Sequence, residues 1–522
     1  MREILKRIFF MVVWSSCLPF TLVAQIDKDM KDFDDFVKQQ QKDFDDFVSE
    51  QNKEFARFLK ETWKEHDLQK PVVRPQRPEP VKPVNFDRKK PVGKPQEVKV
   101  GGITRLPIPE VVPSATFSPS QGKMPVPVLP GGKDSTIKPE KKVEDRPKQN
   151  SNVKPVVTPP VKRSPSGVKF SFYNQECMVN PSLKNRLSLK AEKDISAGWE
   201  TLSSSDYQPL IDDCLAIKKE NNLNDYGYLL LTRKVAVELC GSTHSDEIVL
   251  MQMFILSQSG YRVKVARMDG RLTLFYASDD MIYATCFITL NGVTYYRFDT
   301  SKNKSNSIYT YNRDFANAKN KVNMSICASQ MFLGTYVEKE LQAKAYPSVR
   351  VHSKVNSGLI SFYKDYPQCD FSVYVGAPVS EEVQQTLLPP LKAAIQGKKQ
   401  SEAANILINF VQTAFDYKTD GEQFGYEKPF FVDELLYYPY SDCEDRAVLD
   451  FYLVHTVMRL DAVLLEYPNH MVTAVCFDEV VHGDYVTVSG KKYIICDPTY
   501  IGASIGLAMP QFKNVAAKVL KY

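Results

Sequence analysis

The sequence predicts an α+β protein whose folded part begins near residue 168. Apolar residues at helical spacing occupy 226–239 and again 403–415. Short runs rich in β-branched residues come after them, as in 471–477 and 492–496. Apolar residues at helical spacing indicate helices, and alternating or continuous β-branched runs indicate strands. Helices that precede antiparallel strands are typical of the α+β class.

The first 24 residues have the pattern of a secretory signal peptide. Basic residues at positions 2, 6 and 7 precede an apolar run over 8–23, which ends before the small residue Ala24. This pattern predicts cleavage after Ala24 and a location in the periplasm, in the cell envelope or outside the cell. The alternative is a lipoprotein anchored through Cys17. No other apolar run reaches about 18 residues, so no transmembrane anchor is expected after cleavage.

Residues 25–68 carry an eleven-residue repeat that predicts an amphipathic helix. The motif at 31–37 returns at 42–48 and, in a weaker form, at 53–59. Eleven residues are close to three helical turns, so the phenylalanines collect on one face. This stripe consists of Phe33, Phe36, Phe44, Phe47, Phe55 and Phe58. We expect it to be covered by self-association, by a partner or by the chain's own globular part.

Residues 69–167 are predicted to be a disordered linker. They contain 20 of the chain's 33 prolines and almost no aromatic residues. Such a segment cannot bury a core, and it is expected to be extended and partly polyproline II. The net charge of the whole chain is only +5, which does not require a nucleic-acid partner.

The folded part contains an internal duplication, with one copy over 168–345 and a second over 346–522. Four landmarks recur at an offset of 190 to 198 residues. They pair 171–173 with 361–363, 245–246 with 441–442, 280–287 with 470–477, and 295–300 with 493–498. A nearly constant offset over four landmarks predicts two tandem copies of one fold.

Cys443 is the candidate nucleophile of the second copy. Asp442 is the predicted N-cap of an apolar helix, and Glu444 and Asp445 lie in its first turn. A helix N-terminus stabilises a thiolate, and its free N–H groups can bind an oxyanion. Because the nearby acids oppose the thiolate, Cys443 needs a basic partner.

His470 and Asp497 are the candidate partners of Cys443. A histidine at the start of a strand can face a helix N-terminus, and an acid on a neighbouring strand can orient its imidazole. The other nearby histidines fit this role poorly. His455 lies too far along the helix of Cys443, and His482 precedes a predicted hairpin turn.

This pattern resembles the transglutaminase-like superfamily over about residues 400–505. The shared features are Asp-Cys-x-Asp at the start of an apolar helix, His at the start of a strand, and Asp-Pro-Thr after the next strand. The resemblance implies a papain-like core with Cys443 as nucleophile, His470 as general base and Asp497 as orienting acid. It also implies attack on a peptide or carboxamide through a thioester. Water resolves the thioester in a peptidase or amidase, and an amine resolves it in a transglutaminase. No metal or cofactor is expected.

Two features leave the interpretation open. Ser441 stands where the family often has glycine, and the second oxyanion donor is not identified, with Gln423 and Tyr440 as candidates. The family also contains inactive binding modules. The alternative function is therefore a non-enzymatic scaffold of the cell envelope.

The first copy is predicted to lack the catalytic residues. Glu247 aligns with Cys443, Asp280 aligns with His470, and only Asp299 retains its identity, opposite Asp497. Carboxylates cannot replace a thiolate and its imidazole base. A structural or binding role is therefore expected for this copy.

Overall fold

The computed structural model describes residues 35–36, 38–40, 42–43, 45–74, 82–89, 93–105, 167–189, 194–241, 245–299 and 305–521. Helices and sheets occur together along this part of the chain, so the α+β class is confirmed. Among the helices of these ranges, none combines the length and the apolar content that a membrane crossing requires. The predicted signal peptide, Cys17, Phe33 and Phe44 lie outside the described residues.

Helix α1, over residues 45–59, docks on the globular part through its last turns. Phe55 is only 2% exposed and packs edge-on against Trp199, with ring centroids 4.8 Å apart. The Trp199 indole N–H donates to the side-chain oxygen of Asn52 at 3.1 Å. Phe47 remains 53% exposed and Phe36 remains 60% exposed. Among the described members of the stripe, the chain's own globular part therefore covers Phe55 and partly Phe58, and a partner for exposed Phe36 and Phe47 stays a prediction.

The described residues of the first predicted copy form helices, a hairpin and, together with β1 from the N-terminal part of the chain, one sheet. The helices are α2 (Asp194–Ser203), α3 (Gln208–Glu220), α4 (Asp225–Cys240) and α5 (Ser245–Gln258). The hairpin consists of β4 (Val168–Phe172) and β5 (Gln175–Val179). The strands of the sheet are β1 (Lys64–Asp67), β6 (Val263–Met268), β7 (Arg271–Ala277), β8 (Phe287–Leu290), β9 (Val293–Arg297) and β10 (Ser307–Thr310). This first sheet has the order β1–β10–β6–β7–β9–β8, and every neighbouring pair is antiparallel.

A hairpin of β11 (Tyr336–Gln342) and β12 (Arg350–Asn356) spans the predicted boundary between the first and the second copy. The helices of the second copy are α6 (Ser357–Lys364), α7 (Phe371–Gly376), α8 (Glu381–Ile395), α9 (Gln400–Thr413), α10 (Asp420–Gln423), α11 (Val432–Tyr437) and α12 (Cys443–Leu453), which continues as a π-helical turn (Val454–Met458). The main strands are β15 (Asp461–Tyr467), β16 (His470–Cys476), β17 (Tyr485–Val488), β18 (Lys491–Cys496) and β20 (Ala517–Lys521). Short strands are β2 (Val84–Asn85), β13 (Asp416–Tyr417), β14 (Tyr440–Ser441) and β19 (Tyr500–Ile501), and β3 (Val100–Arg105) completes a second sheet. The second sheet has the order β17–β18–β16–β15–β20–β3.

The two sheets share one topology. Apart from the edge strands β1 and β3, the first sheet has the order β10–β6–β7–β9–β8 and the second has the order β20–β15–β16–β18–β17. Every neighbouring pair in these two series is antiparallel. A helix packs across the two central strands in each case, α5 in the first and α12 in the second. The apolar core is continuous between the two halves, since a single cluster of buried side chains runs from Phe55 to Leu520.

Two of the predicted landmark pairs are wrong. The hairpin that pairs Met268 with Arg271 is equivalent to the one that pairs Tyr467 with His470. Arg271, and not Asp280, therefore occupies the position of His470. Residues 171–173 lie in β4 and its turn, whereas 361–363 lie in α6. Short motifs of similar composition, such as 171–173 and 361–363, can recur without structural equivalence. Strand pairing identifies which residues of the two sheets occupy the same position.

Parts of the predicted linker and helix adopt strand structure instead. Strand β3 pairs in parallel with β20, and β2 pairs in parallel with β19. Strand β1 begins only a few residues after α1 ends, so the helix predicted through residue 68 stops at 59. Strands β1 and β3 cover the edge of the first and of the second sheet, where the N–H and C=O groups of β10 and β20 would otherwise be unpaired, and β2 forms a separate two-stranded sheet with β19. The predicted linker residues 75–81, 90–92 and 106–166 lie outside the described residues.

Replacing Phe55 with alanine should destabilise the protein by about 3–5 kcal/mol, because a buried aromatic ring is lost from a packed cluster. Urea unfolding followed by tryptophan fluorescence measures this, since Trp199 contacts the ring. The matched control is Phe47→Ala on the exposed part of the same helix, which should change the stability by less than about 0.5 kcal/mol. Equal effects of the two substitutions would show that α1 does not dock as described.

Candidate active site

Cys443 is the first residue of α12, and only Asp442 separates it from the short strand β14. Strand β14 leads into the helix and pairs in parallel with β13. Asp442 occupies the N-cap position with extended backbone angles, as the sequence predicts. The Cys443 side chain is 0% exposed, and its thiol donates to Glu444 Oε2 at 3.0 Å.

His470 and Asp497 meet in the interior. His470 Nε2 lies 2.9 Å from Asp497 Oδ2, and both side chains are buried. The other carboxylate oxygen, Oδ1, accepts the backbone N–H groups of Thr499 at 2.9 Å and of Tyr500 at 3.1 Å. With an ionised Asp497 these contacts place the imidazole proton on Nε2, which leaves Nδ1 as a bare acceptor.

The second ring nitrogen of His470, Nδ1, has no hydrogen-bond partner within the described residues. Phe512 stacks on the imidazole at a centroid distance of 4.9 Å and an interplanar angle of 19°. Nδ1 is buried and forms no hydrogen bond within the described residues. A buried acceptor left unpaired costs about 1–3 kcal/mol, so such a group calls for a functional explanation.

The topology brings Cys443 and His470 to the same end of the helix–strand pair. The chain reverses between α12 and β15, and β15 is antiparallel to β16, so α12 and β16 run in the same direction. The Thr473 hydroxyl donates to the Ala447 carbonyl at 3.2 Å, which sets their register. Cys443 precedes Ala447 by four residues, and His470 precedes Thr473 by three. The structure therefore joins His470 to Asp497, while the thiol of Cys443 is bonded to Glu444 and not to Nδ1.

Gln412 and Arg446 connect these elements, and the sequence reasoning missed both. The Gln412 amide nitrogen lies 3.0 Å from the Asp497 carbonyl and 2.8 Å from the Tyr500 carbonyl. Arg446 donates to the Gln412 carbonyl at 3.3 Å and to the Phe415 carbonyl at 2.8 Å. A glutamine inside the apolar pattern of 403–415 was the available signal, because a buried amide in such a helix requires partners.

Buried acids surround the start of α12. Burial raises the pKa of Asp442 well above its usual range, and Glu444 and Asp445 add to the rise. Burial also raises the pKa of Asp445 to about 8, with a further contribution from Glu444. Two groups of three side chains among the described residues have potential metal-ligand atoms within 4.8 Å of one another. One group is Asp442, Cys443 and Glu444, and the other is Asp420, Glu427 and Glu444.

The two candidates for the second oxyanion donor lie on different elements. Tyr440 lies in β14, with the Lys418 ammonium 3.9 Å from its ring centroid. Gln423 ends α10, and its backbone N–H donates to the Thr419 carbonyl at 3.0 Å. The N–H of Gln423 is thus already used, and the assignment of an oxyanion donor stays a prediction.

Asp450, two turns into α12, should make stability fall as pH rises. Burial raises its pKa to about 7, a hydrogen bond from Thr473 opposes the rise, and Asp497 adds to it. The unfolded carboxyl titrates near pH ~3.9. The folded state therefore prefers the protonated form, and this stability is complete below about pH 4 and lost as pH rises through about 7. Asp450→Asn should be about 2–4 kcal/mol more stable than the wild type at pH 8 and similar to it at pH 4.

Urea unfolding at both pH values checks this expectation. Asp206→Asn, on the surface, serves as the matched control and should leave the pH dependence unchanged. An Asp450→Asn variant with the same pH slope as the wild type would contradict the assignment.

Comparison with known proteins finds no matching protein family, no matching curated protein and no matching solved structure. The resemblance to the transglutaminase-like superfamily therefore rests on the motif residues Cys443, His470 and Asp497. Conclusions about function depend on the geometry of these side chains and of the groups around them.

Proposed function

We propose that the protein is a secreted cysteine enzyme of the transglutaminase-like kind, which acts on a peptide or carboxamide. The observation that carries this proposal is the buried pair of His470 and Asp497, with Nδ1 of His470 free to accept a proton. Asp497 is held by two backbone N–H groups, so the imidazole has one preferred tautomer. Cys443 at the start of α12 supplies the nucleophile at the same end of the fold.

The reaction follows from the roles of these groups. Nδ1 of His470 takes the thiol proton of Cys443, and the sulfur attacks the substrate carbonyl carbon to form a tetrahedral oxyanion. Collapse of this intermediate breaks the C–N bond, and the imidazolium gives its proton to the departing amine. The resulting thioester is hydrolysed by water in a peptidase or amidase. An amine acceptor in place of water would make the enzyme a transglutaminase.

Two changes must precede catalysis. The thiol of Cys443 points to Glu444, so it has to rotate about its Cα–Cβ bond to reach Nδ1. The thiol is also fully buried, so substrate entry requires displacement of the residues above it. Lid or loop opening of this kind is common among enzymes that exclude water during the reaction.

We further propose that the two halves are tandem copies of one papain-like fold. The identical order of strands in their sheets supports this. In the first copy Glu247 stands near the position of Cys443, where its carboxylate accepts the backbone N–H of Leu189 at 2.8 Å. Exposed Arg271 occupies the position of His470. These residues suit a structural or binding role, as Asp299 alone cannot perform the reaction.

The second candidate function is a non-enzymatic scaffold of the cell envelope. The contact between the thiol of Cys443 and Glu444 favours it, because a carboxylate next to a thiol opposes ionisation of the thiol. In this reading Cys443 is a buried small hydrophobic residue, and both copies act as binding surfaces.

Alkylation of Cys443 by iodoacetamide distinguishes the two functions. In an enzyme Cys443 should react at about pH 6, below the ordinary thiol pKa of ~8.5, because His470 takes its proton. His470→Gln should slow this labelling at least about tenfold, and Asp497→Asn should slow it less. Mass mapping of the full chain measures the extent at each pH, and the exposed Cys327 is the internal reference for reagent activity.

Circular dichroism of each variant shows whether the fold is retained. If Cys443 is labelled only when the buried Cys214 is also labelled, global unfolding is exposing it, and the enzymatic proposal is wrong. Equal labelling rates in the wild type and in a folded His470→Gln variant would likewise exclude the pair.

A further inference from the structure

A cavity between α6, α7 and the segment that leads into α11 is lined by several aromatic side chains. It encloses about 300 Å³ of space that contains no atoms and is partly open to solvent. Its aromatic lining consists of Tyr363, Tyr366, Tyr374, Tyr426 and Phe431. Cys443, His470 and Asp497 are not among the lining residues. The cavity is therefore separate from the candidate active site.

Contacts among the aromatic rings hold the walls of the cavity in place. Tyr363 stacks on Phe431 with a centroid distance of 4.1 Å and an interplanar angle of 20°. Tyr374 packs against the same phenylalanine ring at a centroid distance of 4.8 Å. In contrast, the side chain of Tyr426 is 54% exposed, so it lies on the solvent side of the cavity. Fixed aromatic faces with one open side suit a ligand that contains an aromatic ring.

The hydroxyl of Tyr363 is a buried donor without an acceptor. Tyr363 is only 1% exposed, and its hydroxyl forms no hydrogen bond within the described residues. Burial raises the pKa of Tyr363 well above its usual range, and the charges of Asp433 and Glu434 add to the rise. The hydroxyl therefore stays protonated and can donate. A buried donor left unpaired is costly, and a ligand in the cavity that carries an acceptor would satisfy it.

The charged side chains of the cavity favour an anion. Its lining contains two lysines, Lys364 and Lys428, but one glutamate, Glu434. The Lys428 ammonium pairs with the Glu434 carboxylate at 2.5 Å, so these two charges balance each other. Lys364 is exposed, and its ammonium lies 5.9 Å from the ring centroid of Tyr437. Aromatic cavities can also bind a quaternary ammonium through cation–π interactions. Here the excess positive charge opposes such a cation and attracts an anionic group towards Lys364.

We propose that this cavity binds one small aromatic carboxylate. The ring of the ligand packs against the aromatic walls, and its carboxylate accepts the hydrogen bond of the Tyr363 hydroxyl and is attracted by the Lys364 ammonium. The volume is at the lower end of the range of ligand pockets, so a ligand of about ten non-hydrogen atoms fits better than a larger one. The proposal is independent of the proposed enzymatic activity, because it requires no residue of the candidate active site.

Saturation-transfer NMR of the full chain with 3-phenylpropionate tests this site. We expect saturable binding with a Kd of about 10 mM or below, as is usual for so small a ligand. The amide 3-phenylpropionamide has the same ring without the charge and should bind at least about fivefold more weakly.

Three variants separate the contributions to binding. Tyr363→Phe removes only the hydroxyl and should raise the Kd of 3-phenylpropionate at least about threefold. Lys364→Ala should raise it at least about fivefold while leaving the Kd of the amide unchanged, because only the carboxylate is attracted by the ammonium. Lys392→Ala, which removes an exposed lysine of α8 outside the cavity, is the matched control and should leave both Kd values unchanged.

Three results would overturn the proposal. The first is no saturable binding of 3-phenylpropionate by the folded wild type up to about 50 mM, well above the Kd expected for its size. The second is equal affinity of the wild type for 3-phenylpropionate and for its amide. The third is saturable binding of choline that weakens in Tyr363→Phe, since this would assign the cavity to a cation. Circular dichroism checks the folding of each variant. If Tyr363→Phe does not fold, Lys364→Ala still decides the outcome, because the lysine side chain is exposed.

Discussion

The contacts of Gln412 are the constraint on which the candidate site depends. Its amide nitrogen lies within hydrogen-bond distance of three carbonyls in the turn that follows β18, and its amide oxygen accepts the N–H of Gly502 at 3.1 Å. The backbone carbonyl of the same residue accepts a bond from Arg446. One residue of α9 thereby ties the turn of Asp497, through its side chain, to the helix of Cys443, through its backbone carbonyl. The attachment holds the turn in which the backbone N–H groups of Thr499 and Tyr500 position the Asp497 carboxylate next to His470.

The interior around α12 balances two electrostatic demands. A nucleophilic cysteine benefits from a helix N-terminus, whereas the acids at that N-terminus oppose a negative sulfur. The structure holds the acids in the same buried region and directs the guanidinium of buried Arg446 to neutral hydrogen-bond acceptors. In the proposed function the imidazole of His470 offsets this opposition by taking the thiol proton. The buried acids at the start of α12 have raised pKa values, which lowers the negative charge next to the sulfur.

The segments before the globular copies complete both sheets. Strand β1 extends the first sheet at β10, and β3 extends the second sheet at β20, so each copy receives its outermost strand from the N-terminal part of the chain. Helix α1 also places Phe55 in the core next to Trp199. These segments are therefore structural parts of the fold, although their composition is that of a stalk and a linker. Strands β1 and β3 attach through backbone hydrogen bonds, which amino-acid composition does not reveal.

The sequence by itself determined the elements whose signals are local. Cys443 at a helix start, His470 at the first residue of a strand and Asp497 after a strand could be predicted because capping, periodicity and strand ends are written in neighbouring residues. Tertiary structure alone decided the equivalence of Arg271 with His470, the strand character of residues 100–105, and the attachment of Asp497 to Gln412. Each of these depends on pairing between residues far apart in the chain. Tertiary structure also decided that Asp442 takes the N-cap position without making the cap bond, since the direction of a carboxylate is set by the buried groups around it.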